Sequence, residues 1–270
     1  MISLSVVIIT FNEEKNIERC IRSVQGIADD IVVLDSFSTD RTKMICQKLS
    51  VRFYEQAFLG YSQQKNKVLE YALFPFVLSL DADEVVSPEL FQSILKVKEN
   101  PTADGYFISR LTNYCGSWIK HTDWYPDRKL RLWDTRKGHW EGLQVHEHVE
   151  MQHGSTFERM KGDLYHYSFP SVAHHFAVIE NYTDLMATEA VQKNKLSGWF
   201  FIIFSPIQKF FKSYVFRMGF LDGYHGLLVC SLSSYATFIK YMKIRELKNK
   251  MISEQQRSIF NLGLEQQHIK

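Results

Sequence analysis

The strongest constraint on this chain is a unit that recurs through its first 80 residues: a short apolar, β-branched run, a polar loop, then apolar residues at helical spacing. Leu4 to Thr10 is the first run; it gives way to Asn12-Glu13-Glu14, after which Ile17, Cys20, Ile21 and Val24 recur one helical turn apart. Ile31 to Leu34 runs into Asp35-Ser36-Phe37-Ser38-Thr39-Asp40 and a helix carrying Met44, Ile45 and Leu49. Val51 to Tyr54 is followed by a helix through Gln64, Val68, Leu69 and Ala72, and Phe76 to Leu80 is a fourth strand. Strands apolar on both faces that alternate with helices predict an α/β fold with a parallel sheet covered by helices. Ligands bind such sheets beyond the carboxyl ends of the strands. Three of these strands end there in acid or polar groups: Thr10-Asn12-Glu13, Asp35-Ser36, and Asp81-Ala82-Asp83-Glu84.

From about Gly105 the pattern changes to short strands (Tyr106 to Ser109, Lys129 to Trp133, Val145 to Val149) and long loops rich in Trp, His and charge. Beyond Pro170 it turns helical, with helices expected near 171–195, 206–219 and 222–248. The expected organisation is a catalytic domain over 1–170, a helical, basic and aromatic region over 171–250, and a polar tail over 251–270. The formal charge of +2 hides an asymmetry, because residues 191–270 carry 12 Lys/Arg against 4 Asp/Glu and residues 1–190 carry 20 against 26. Residues 191–250 hold 13 aromatics and 10 Lys/Arg against 2 acids, a mixture suited to an anionic membrane surface. It also suits a helical pair packed on the main domain with a solvated basic face. No apolar window reaches the roughly 18 residues a spanning helix needs. Four scattered cysteines without a CxxC pair, and an N-terminus without a basic region or cleavage site, point to the cytoplasm.

Asp81 and Asp83, one residue apart at a strand end, can share a hard divalent cation through oxygen ligands, although Asp-x-Asp is also ordinary turn chemistry. The segments Ile8 to Glu14, Val33 to Thr42, Gln64-Lys65-Asn66 and Leu80 to Glu84 together resemble the successive motifs of family 2 glycosyltransferases with the GT-A fold, in the family's order and spacing. Pro126 to Trp133, Gly142 to Glu147, Tyr165-His166-Tyr167 and Gly219 to Gly223 are similar to the bacterial subgroup that adds glucose or a related sugar to the lipopolysaccharide inner core.

The resemblance implies an inverting transfer from a nucleotide-sugar, a UDP-sugar by expectation, to a lipid-linked glycan at the cytoplasmic face of the membrane, with no nucleic acid partner. It implies that Thr10, Asn12, Glu13, Glu14, Asp35, Ser36, Lys65, Asn66 and Asp81 line the nucleotide-sugar, Asp35 accepting the uracil N–H and Lys65 facing the diphosphate. A Mn²⁺ or Mg²⁺ ion would be held by Asp83 first, with Asp81 and a histidine such as His146 or His166, and would stabilise the charge of the departing diphosphate. Lys65 stands where the family often has Arg, keeping the charge without the bidentate fork, and otherwise reads as an exposed helix residue. A carboxylate must deprotonate the acceptor hydroxyl; Glu147 is the candidate, with Asp127 and Glu141 as rivals.

Other readings compete. Asp81 followed by Ala82 and Asp83 also fits the nucleophile of a haloacid dehalogenase-type phosphatase, but that motif closes the first strand of its fold, whereas three βα units come before it here. Thr10 to Glu14 lacks the glycines of a dinucleotide-binding loop. A non-catalytic, membrane-peripheral nucleotide-binding protein would not need Asp35, Asp81, Asp83 and Glu147 together. Eight histidines between His121 and His175 form no zinc pattern. Trp118, Trp124, Trp133 and Trp140 suit stacking on sugar faces or packing as core.

Overall fold

The structure is a computed structural model. It describes residues 1–142, 147–193 and 198–267, with side chains to residue 251 and at 253. Two compact units divide the chain, Met1–Pro170 and Ser171–Lys270.

The first unit begins with the repeated βα units: β1 (Leu4–Thr10), α1 (Ile17–Val24), β2 (Asp30–Asp35), α2 (Thr42–Lys48), β3 (Arg52–Glu55), α3 (Tyr61–Leu69) and β4 (Phe76–Asp81). β1, β2 and β4 are apolar on both faces and almost wholly buried, which places them centrally. β3, half-exposed, takes the edge. β1 runs parallel to both β2 and β4, setting Thr10 beside Asp35 and Ile9 beside Asp81, so the polar ends of three strands lie level. Ile17, Cys20, Ile21 and Val24 turn the buried stripe of α1 onto the core, where Val6, Ile8, Leu78 and Leu80 meet it.

After β4 come β5 (Glu84–Val86), α4 (Pro88–Glu99), β6 (Gly105–Tyr114), β7 (Ser117–Trp118), β8 (Asp127–Asp134), β9 (Gly138–Glu141), β10 (His148–Met151) and β11 (Phe157–Phe169). The main sheet runs β3-β2-β1-β4-β8-β6-β11-β5, with β7 on β6 and β9 and β10 forming a separate antiparallel pair. β8 is antiparallel to β4, pairing Leu132 with Leu78, and Arg131, the residue before Leu132, reaches along β4 to Asp81. α4 and β11 went unanticipated from sequence. α4 starts at Ser87, whose Oγ accepts the Leu90 N–H at 3.2 Å, followed by Pro88 at the first helical position. The third short strand expected, Val145 to Val149, is described only from residue 147 and becomes β10 at His148–Met151.

In the second unit α5 (Val172–Gln192) packs on α7 (Gly223–Gln267) through Ala187 and Ala190, whose small side chains meet the buried Ile244. α6 (Trp199–Phe211) begins before the expected start and runs through Pro206 rather than breaking there. Pro206 is buried, and its carbonyl accepts a 2.7 Å hydrogen bond from Ser234 Oγ on α7, which anchors the turn. No described helix is long and apolar enough to cross a membrane.

Candidate active site

Loops after β1 and β2 are zipped to each other by the side chains that the sequence singles out. Asn12 donates its backbone N–H to Ser38 Oγ at 2.7 Å, and its Oδ1 accepts the Thr39 N–H at 2.8 Å. The Glu13 N–H is donated to Thr42 Oγ1 at 2.9 Å and the Glu14 N–H to Asp40 Oδ2 at 3.0 Å, while the Glu14 carboxylate pairs with Arg41 at 3.1 Å. Asp35, fully buried, accepts both the backbone N–H and the hydroxyl of Ser38. The Ser36 N–H is donated to the Thr10 carbonyl, and Gln64 donates to Ser36 Oγ at 3.1 Å. Asn12, Glu14 and Asp35 thus fix the cradle's shape. Asn12 and Phe37 both sit at positive φ, 53° and 61°. Asn tolerates that region, whereas for Phe37 it is a strained conformation of the kind found where a loop is held for a ligand. Thr10 Oγ1 is buried with no hydrogen-bond partner among the described residues.

A charge network fills the floor between β4 and α3. Lys65 is 1% exposed, not the solvated helix residue its type suggests. Its Nζ lies 3.0 Å from Asp81 Oδ1 and 3.3 Å from Glu147 Oε1, above the Trp140 ring at 4.5 Å. Residues 65, 81 and 147, far apart in sequence, therefore meet at one ammonium. Asp81 Oδ2 accepts from Arg131 Nη2 at 2.7 Å, and the same nitrogen donates to the fully buried Glu84 at 2.8 Å. Burial opposes the charge on Asp81, yet Lys65 and Arg131 outweigh it and hold the carboxyl well below the usual carboxylate range.

Asp83 faces the other way. Its Oδ2 lies 3.2 Å from His166 Nε2, and its carbonyl accepts the Tyr167 N–H at 3.0 Å. Burial raises the Asp83 pKa and His166 lowers it, with a net shift downward. An Asp oxygen beside an imidazole nitrogen suits Mn²⁺, whereas Mg²⁺ would draw on the carboxylate oxygen alone; either cation would complete its shell with substrate phosphates and water. Among the described residues no group of three or more His, Cys, Asp or Glu is placed to hold a metal. Two protein ligands plus a diphosphate do not require one. His146 lies outside the described residues.

The carboxylates proposed as base are in different states. Asp127 accepts two hydrogen bonds from Arg110, at 2.7 and 3.0 Å, and lies 3.5 Å from Lys129; burial opposes its charge, but these cations lower its pKa. Glu141 is exposed on β9 and paired with His139 at 3.2 Å. Glu147 sits with Lys65 next to Asp81. Glu13 is pushed up to about 7, by burial first and then by the carboxylates of Asp83 and Asp40, against the hydrogen bond from Asn16.

Asn66 uses both ends of its amide on the backbone of Trp140, donating to its carbonyl at 2.8 Å and accepting its N–H at 2.9 Å. It positions the wall that carries Trp140, whose buried Nε1 has no hydrogen-bond partner among the described residues. Trp133 is fully buried core packed edge-on to Trp140, while Trp118 and Trp124 lie half-buried against Tyr165 and Phe169. Sequence reasoning missed two members. Burial, then the charges of Asp81, Glu147 and Asp83, raise the pKa of Tyr61, a residue of the first turn of α3. Arg131 lies in β8 within the Pro126 to Trp133 stretch, where it follows Arg128 and Lys129 and nothing in the sequence distinguishes it from these cations.

Residues 5–161 match the model of the family described as Glycosyl transferase family 2. The chain is 28% identical over 260 residues to an uncharacterised glycosyltransferase of Rickettsia typhi, covering 93% of this chain and 89% of that protein. It is 29% identical over 259 residues to the lipopolysaccharide core biosynthesis glycosyltransferase LpsC of Rhizobium meliloti, covering 91% and 94%. Among solved structures it resembles residues 1–349 of S. aureus TarS, with a TM-score of 0.45 at 15% identity, over 92% of this chain and 91% of that chain.

Proposed function

The chain belongs to glycosyl transferase family 2, and from that premise we propose that it transfers a hexose, glucose or a close relative, from a UDP-sugar to a lipid-linked glycan such as the lipopolysaccharide inner core, with inversion at the anomeric carbon. The similarity to LpsC over 91% of the chain supports the acceptor class. The observation that carries the mechanism is the meeting of Lys65 with Asp81 and Glu147 beyond the strand ends.

Glu147 takes the proton of the acceptor hydroxyl as that oxygen bonds to the anomeric carbon, and the bond from this carbon to the diphosphate breaks with its electron pair leaving on phosphate oxygen. Lys65, already desolvated, lies where it can neutralise part of that negative charge. Arg131 and Glu84 hold Asp81 in one orientation, toward the nucleotide's ribose. Asp35 and the braced loops after β1 and β2 take the base. Asp83 and His166 are the residues that would hold a divalent cation, Mn²⁺ or Mg²⁺, and the ion would supply Lewis-acid stabilisation of the diphosphate. The acceptor is reached at the inner face of the cytoplasmic membrane, to which the chain is peripheral.

A screen of UDP-, GDP-, ADP- and dTDP-sugars for thermal stabilisation, with and without Mn²⁺, tests the donor. A ligand at about 100 times its Kd adds about 2.7 kcal/mol. Metal-dependent stabilisation by a UDP-sugar alone is expected. Stabilisation by none of the four, or by any equally without metal, contradicts the reading.

A further inference from the structure

Between residues 190 and 221 the chain has five Lys/Arg and no Asp or Glu. α6 runs through this stretch with its inner face, Ile202 and Pro206, buried. Its outer face carries Trp199, Phe200, Ile203, Phe204, Ile207 and Phe211, each between 49 and 65% exposed. These positions follow one another at i, i+1, i+4, i+5, i+8 and i+12, a single broad stripe along the helix. The apolar surface continues beyond it, where Phe216 is 80% exposed and Phe220 and Leu221 about half exposed. Lys209, Lys212 and Arg217 flank it. Single exposed apolar residues are ordinary on a protein surface, but a contiguous stripe of aromatics marks an interaction face.

We infer that this face of α6, with the turn through Phe216 and Phe220, is seated in the surface of an anionic phospholipid bilayer, α6 lying in the plane of the interface. The charge selects that occupant: a wide apolar stripe, flanked by cations and without a carboxylate, is complementary to acyl chains beneath negative headgroups. An interface with another protein of mixed surface charge would not require the exclusion of acids over so long a stretch. Trp199 at the start of α6, its ring 4.3 Å from the Arg245 guanidinium, is placed as the kind of amphipathic aromatic that settles at the headgroup level. The inference deepens the proposed lipid-linked acceptor by naming the element that meets the lipid. It confines that role to α6 and its turn rather than to the whole basic region.

The full chain is tested by co-sedimentation with phosphatidylglycerol-rich and with pure phosphatidylcholine vesicles, at low and high salt. Binding to the anionic vesicles alone, weakened by salt, is expected, and the double variant Phe200→Glu with Phe204→Glu should lower it by about tenfold or more. A second readout leaves the apolar character of this face unchanged: brominated lipid should quench the wild-type tryptophan fluorescence, and the conservative Trp199→Phe should remove most of that quenching. Equal binding to both vesicle types, undiminished binding by the Glu double variant, or quenching that persists in Trp199→Phe overturns the inference. So does a concentration-dependent dimer that the Glu substitutions dissolve while vesicle binding stays absent, since the occupant is then a second copy. Donor-dependent transfer to a delipidated, soluble acceptor is the separate measure of the catalytic reading. Loss of vesicle binding with that transfer intact would strike only the inference, and loss of transfer with vesicle binding intact only the catalytic reading.

Discussion

Lys65 is buried, although nothing local in Gln64-Lys65-Asn66 says so. The motif places it on α3, and only the packing of α3 against β9 and the return of the chain at residue 147 bury it between two carboxylates. The aspartates were legible because they close an apolar strand; Arg131 and Tyr61 were not, because one sits in a charged run and the other in an ordinary helical turn. Glu147→Gln removes the proposed proton acceptor while keeping the side chain's shape, so transfer should fall by about 10²- to 10⁴-fold with donor binding retained, as read by turnover beside donor-induced thermal shift. Glu13 gives a pH prediction. Its folded pKa stands near 7 against an ordinary 4.5, so as pH rises through that window the unfolded chain releases a proton that the folded chain keeps, and folding is disfavoured. Glu13→Gln should therefore be near neutral in stability at about pH 4 and stabilising at about pH 8, by roughly 3 kcal/mol at most given 1.36 kcal/mol per pKa unit. Urea unfolding at the two pH values measures it; equal effects at both would show that Glu13 ionises as freely in the fold as out of it.

At the scale of elements, the βα units were readable because their strands are buried on both faces and their helices keep a clean apolar stripe. β11 was not, for its outer half reads Glu158, Arg159, Lys161 and its Gly162 sits at a register break, so neither period appears. α4 did carry a signal, Ser87-Pro88-Glu89 before an apolar run, which names a helix start. The two elements depend on each other. Ser87 Oγ accepts from Leu90 in the cap and also from the Asp163 N–H at 3.1 Å, and the bend at Gly162 lets β11 pass close to the helix. Gly162 has φ +86°, and a Cβ there would lie 2.2 Å from Leu90 N and 2.7 Å from Leu90 Cα, both backbone atoms that cannot move aside alone. Gly162→Ala should thus destabilise by about 3 kcal/mol or more, from strain and overpacking together. Ser87→Ala, by comparison, should cost about 1–2 kcal/mol through the lost cap. Chemical denaturation of both variants checks the order; a Gly162→Ala protein as stable as wild type would mean that α4 and β11 are not held at this spacing.

Across the whole molecule, the sequence's division into an acidic and a basic part has a physical counterpart. The carboxylates of the first unit gather at strand ends among Lys65, Arg131, Arg110 and His166, while the second unit places its aromatics on an outer face beside lysines and arginine. Composition made the imbalance visible but could not say which aromatics are core: Phe201 stacks on Tyr241 within the unit, whereas its neighbour Phe200 is 65% exposed. In the proposed reaction the first unit moves a sugar with the help of a cation at Asp83. Transfer of labelled glucose from UDP-glucose to an extracted lipid-linked glycan, in the presence of Mn²⁺, tests it for the wild type and for Asp83→Ala. Transfer by the wild type that a chelator abolishes is expected, with a drop of about 10²- to 10³-fold or more in a stably folded Asp83→Ala protein. Undiminished transfer by Asp83→Ala would contradict it.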